Sequence, residues 1–100
     1  MFEEIRALSH EVVIIETRYE KMKCFLRKDI SYNQIRDLHQ TLHPAIKLLQ
    51  KHLDTLTIAM MLTEEEYTDI IKVMKETIKE INVVFRMLED MIIAYYKNIE

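Results

Sequence analysis

Apolar residues in this chain recur at alternating spacings of three and four, the pattern of helices that each bury one face. Ile5, Leu8, Val12, Ile15, Tyr19, Met22 and Leu26 form the first such seam. Ile35, Leu38, Leu42, Ala45, Leu49, Leu56 and Ala59 form the second, with Ile46, Leu53 and Met60 beside it. The third is the longest: Tyr67, Ile71, Met74, Ile78, Ile81, Phe85, Leu88, Ile92 and Tyr95. A parallel row, Ile70, Val73, Val84, Met87 and Met91, widens its apolar arc enough to face two neighbours, so the third helix is expected to be the spine of a bundle. The seams predict helices over about 2–27, 32–61 and 64–98.

The punctuation between seams agrees. With no glycine and one proline, the chain has few residues that open tight turns, which favours few and long helices. Ser31-Tyr-Asn-Gln34 and Thr63-Glu-Glu-Glu66 have the form of capping boxes. Glu3 and Glu4 in the first turn and Arg27 and Lys28 in the last match the dipole of the first helix. Pro44 falls inside the second seam and either kinks that helix near His43 or splits it. Because the apolar phase continues across Pro44 without slipping, one kinked helix is the preferred reading. The expected fold is all-α: an antiparallel three-helix bundle in a single domain, residues 1–100, or a four-helix bundle if Pro44 divides helix two. At 1.5 Å per residue, helices of these lengths would run about 39, 45 and 52 Å, a slender rod with a thin core.

Composition narrows the function classes. Seventeen acidic against fourteen basic residues give a net charge of −3, so no nucleic-acid partner is expected. No stretch approaches the roughly 18 unbroken apolar residues of a membrane span, and Met-Phe-Glu-Glu-Ile-Arg lacks a secretory h-region. The lone Cys24 has no internal disulfide partner, in keeping with a reducing compartment. The expected location is the cytoplasm, with no membrane association. The absence of glycine excludes the usual phosphate-cradling loops.

Candidate chemistry gathers at histidines. His39 and His43 stand at i and i+4, a spacing that lets two imidazoles share a metal ion. The further ligands of a bundle metal site are not evident, since no Glu-x-x-His occurs; no metal and no cofactor are expected. On the seam count His43 points outward, His39 lies at the boundary, and both read as surface features, while His52 sits on the seam as a core-edge residue. Arg36-Asp-Leu-His-Gln-Thr-Leu-His43 resembles the short motif of the HEPN superfamily, helical domains that include metal-independent ribonucleases. That resemblance implies Arg36 and His43 acting on a phosphodiester across a dimer, although the commoner spacing is four and Ala45 replaces the usual tyrosine. Ala7-Leu-Ser-His-Glu11 resembles the phospho-accepting H-box of sensor histidine kinases, which implies a phosphotransfer role for His10. The Arg-Thr-Pro-Leu portion that normally follows is Val12-Val13-Ile14-Ile15 here.

Apolar residues off the seams point to a different use. Val13 and Ile14 on helix one and Val83, Ile93 and Tyr96 on helix three fall on outward positions. The run Thr55–Leu62 is uncharged and adds Ile58 and Met61. Residues 31 to 62 hold five charged side chains against fourteen in 64 to 100, which suggests that part of the outer face of helix two is covered. These seven residues are the expected partner or dimer interface. The functional expectation is a small non-enzymatic interaction protein (an adaptor, inhibitor, immunity-type factor or chaperone) that binds a protein partner and forms a homodimer. The ribonuclease and phosphotransfer readings stand as alternatives.

Overall fold

A computed structural model of the chain describes residues 2–26, 33–58 and 62–99. Three helices follow in order: α1 Phe2–Leu26, α2 Asn33–Ile58 and α3 Glu64–Ile99. Among the described residues there is no strand, so the all-α three-helix bundle is the fold. It extends 55 × 20 × 19 Å, and α3 alone, at 1.5 Å per residue, accounts for the long dimension. Ser31, Arg27, Lys28, Ala59, Met60 and Met61 lie outside the described residues.

The three seams meet in one core. Leu8, Val12 and Ile15 from α1 pack with Ile35, Leu42, Leu49 and Leu56 from α2, and with Met74, Ile81, Phe85 and Leu88 from α3, all buried. Removing such side chains from water supplies the main drive to fold, roughly 1.5–3 kcal/mol for each fully buried one. The third helix starts where its cap predicts. The Glu66 amide donates to Thr63 Oγ1 at 3.1 Å and the Tyr67 amide to the Thr63 carbonyl at 3.0 Å, satisfying two donors that a helix N-terminus leaves open. Glu64, Glu65 and Glu66 sit in that first turn, where the dipole favours them.

α2 runs unbroken from Asn33 to Ile58 with Pro44 inside it: the single helix that the continuous apolar phase favoured forms, and the four-helix variant does not. Pro44 is exposed, as is Gln40, whose carbonyl loses its amide partner on the solvent side. Buried Leu42 and Ile46, flanking the proline, hold the helix against the bundle. One expectation changes, that of the spine. α2, not α3, packs closely on both other helices, whereas α1 and α3 approach each other loosely.

Bulky groups fill the α1–α3 gap and keep those helices apart. The Arg18 guanidinium lies over the Phe85 ring at 4.4 Å, reaches Glu89 Oε1 at 2.6 Å, and donates to Asn82 Oδ1 at 3.3 Å. One turn from the N-terminus, Lys75 and Glu4 approach to 4.0 Å. The α1-facing side of α3 is therefore the side of Lys75, Asn82, Phe85 and Glu89. Ile70, Val73, Val84, Met87 and Met91 lie on the other flank.

Candidate functional site

The histidine pair does not make a shared site. His39 is 4% exposed, against the surface position expected for it. Its ring stacks on Tyr19 with centroids 4.2 Å apart and planes 9° from parallel. Its Nε2 lies 3.2 Å from the Tyr19 carbonyl, an acceptor, which assigns the proton to Nε2. The seam count missed this because Tyr19, one helix away, supplies a flat partner that draws a boundary residue inward. Burial and the neighbouring Glu20 raise the Tyr19 phenol above its ordinary value.

His43 is exposed, as expected, and meets Tyr19 only at 6.2 Å with the rings tilted by 39°. His52 is half-buried at the edge of the core, also as expected. No group of three or more metal-ligating side chains occurs among the described residues. Arg36 and His43 are both exposed on the side of α2 that faces α1. His10 is exposed and lines a shallow groove between α1 and α2 with Arg6, Ser9, Val13, Asp54 and Thr57.

The expected interface residues are exposed where described but do not share a face. Val13 opens onto that α1–α2 groove, and Ile93 lines the α1–α3 groove beside Met22 and Ile92. Ile14 is exposed on α1, Ile58 at the C-terminal end of α2, and Val83 on the back of α3. Met61 and the Tyr96 side chain fall outside the described residues.

An apolar face shared by two helices lies elsewhere. On α3 at about 100° per residue, Ile70, Val73, Val84, Met87 and Met91 share the flank turned away from α1. Val73 is 42% and Met87 50% exposed, and the other three are half-buried. Antiparallel to them on α2 run Leu38, Ala45 and His52, half-buried, and Leu48, 43% exposed. Two hydroxyls on this face are already satisfied: Thr41 donates to the Leu38 carbonyl at 2.6 Å and Thr77 to the Val73 carbonyl at 2.8 Å. With both hydroxyls donating, covering them strands no donor.

Sequence reasoning had named the α3 half of this face as a second row and assigned it a neighbour within the bundle. α1 packs on the other flank, so that Ile70, Val84 and Met91 are only partly covered against the core and Val73 and Met87 stay exposed. Leu48, on the outer edge of α2, was missed; the low charge of α2 was its signal.

The site thus defined is a protein surface on a three-helix bundle. No protein-family model matches the chain, and no curated protein and no solved structure matches it. No helix of the described residues is long and apolar enough to cross a membrane.

Proposed function

We propose that this chain is a non-enzymatic interaction module that binds a protein partner through the open α2–α3 face, in the manner of an adaptor or inhibitor. The observation that carries the reading is the apolar flank of α3, half-buried at Ile70, Val84 and Met91 and exposed at Val73 and Met87, alongside exposed Leu48 on α2. Single exposed apolar residues are ordinary on any surface, but a row that follows two adjacent helices for several turns is the shape of a helix-docking face. Methionine at Met87 and Met91 suits such a surface, since its unbranched side chain repacks against varied shapes.

The test is site-specific photo-crosslinking in the native host. A photoreactive residue at Leu48 or Met87 should give a discrete protein adduct, while one at Val13 or Ile93 should not. Adducts from Val13 or Ile93 alone would move the interface to another face, and none at any of the four would remove the interaction reading.

A further inference from the structure

We infer that the occupant of the α2–α3 face is a basic amphipathic helix of a partner protein; this rests on the reading of that face as an interaction site. The argument is one of charge. At about 100° per residue, α3 sorts its charges onto two sides. Asp69 and Glu76 line the outer edge of the apolar row and Glu80 stands within it, between Val73 and Val84, all exposed. Lys75, Lys79, Arg86 and Lys97 lie farther round the helix, toward or behind α1, and Lys72, one turn before Glu76, stands just beyond the acidic edge. Along the matching edge of α2 the one charged residue is Asp37, also exposed.

None of these four carboxylates takes part in the two ion pairs seen among the described residues, Arg18–Glu89 and Lys75–Glu4. The face therefore carries exposed carboxylates and no cation of its own, with Lys72 just beyond its edge. From Ile70 to Met91 it runs about 32 Å at 1.5 Å per residue, the length of a helix of about 21 residues. A helix with leucines or isoleucines at i, i+3, i+4 and i+7 and lysines or arginines on its shoulders matches both features.

A second copy of the chain matches the stripe but not the border. A two-fold axis across the helices would set the acidic edges of two α3 helices together. An axis along the bundle would set each acidic edge against α2, whose edge offers Asp37 and no base. Neither arrangement brings a cation to Asp69, Glu76 or Glu80. An anionic lipid surface is disfavoured by the same border.

The experiment uses the purified full chain and a fluorescent designed peptide of about 21 residues, with a leucine stripe flanked by lysines. A control peptide keeps the stripe and carries glutamate for lysine. Fluorescence anisotropy should show saturable binding of the lysine peptide that weakens as salt rises. The double variant Glu76→Lys, Glu80→Lys should weaken it by roughly three- to tenfold. Leu48→Asp should weaken it by about tenfold or more, because a carboxylate would be pressed against the leucine stripe. The double variant Glu11→Lys, Glu20→Lys, an equal charge change at exposed positions of α1, should leave it unaltered.

Equal binding of the glutamate peptide, an unaltered affinity in the Glu76→Lys, Glu80→Lys variant, or an equal loss in the α1 double variant would each overturn the inference. If the lysine peptide fails to bind while Leu48 crosslinks to a second copy of the chain, the inference falls and the interaction reading stands. If the peptide fails and no crosslink forms, both fall.

Discussion

His39 allows the sharpest separation of a structural histidine from a chemical one. In the fold its ring is buried, stacked on Tyr19 at 4.2 Å and bonded to the Tyr19 carbonyl at 3.2 Å. Truncation to alanine removes three contributions. The hydrogen bond is worth about 0.5–1.5 kcal/mol net, and the aromatic pair about 0.5–1.5 kcal/mol beyond its area. A partly relaxed cavity adds to these, for a total loss of about 2–4 kcal/mol. For a domain of this size that lowers Tm by roughly 10–30 °C. His39→Phe keeps the stack and most of the volume. It loses only the hydrogen bond, and the Tyr19 carbonyl keeps its helical amide partner, so the expected cost is about 1 kcal/mol. Thermal and urea unfolding followed by circular dichroism would read both. A loss below about 0.5 kcal/mol for His39→Ala would mean that the ring is not packed in the core. An equal loss for Ala and Phe would mean that the stack contributes nothing, and either result refutes the assignment.

Pro44→Ala restores the amide that the Gln40 carbonyl lacks in an unbroken helix; after allowing for the freer unfolded chain, urea titration should show a gain of roughly 1–2 kcal/mol. Leu49→Ala empties a fully buried position in the centre of α2 and should cost about 2–5 kcal/mol in the same assay. Arg18→Met keeps the packing over Phe85 but removes a partly exposed ion pair, worth about 0.2–1 kcal/mol after screening, and a cation–π contact of about 0.5–1 kcal/mol. Its loss of stability should shrink as salt is raised, whereas the loss in Leu49→Ala should not.

The helices were legible because each seam repeats a local rule many times over. Leu8, Val12 and Ile15, or Ile78, Ile81 and Phe85, announce a buried face through spacing alone, and Thr63 announces where α3 starts. Pairing of faces is a different matter. Nothing in the spacing says on which flank of α3 the first helix will lie, because that depends on Arg18 reaching Asn82 and Glu89 across the bundle. The row of Ile70, Val73, Val84, Met87 and Met91 is therefore visible as apolar, but not that Val73 and Met87 stay exposed while the others pack partly on the core. His39 illustrates the same limit, since its burial comes from a stack with Tyr19, twenty residues away. Off-seam position identified Val13, Ile14, Val83 and Ile93 as exposed, but exposure of single residues does not make a surface.

The central claim is that the partner sits on the α2–α3 face, and the methionine methyl groups report on it most directly. Met87 and Met91 lie on that face, while Met22 lines the groove between α1 and α3 and Met74 is buried in the core. Spectra of the chain with 13C-labelled methionine methyls, recorded alone and with the partner trapped through Leu48, place all four in one experiment. The account predicts shifts at Met87 and Met91 with Met22 unmoved; a shifted Met22 with Met87 and Met91 unmoved would contradict it.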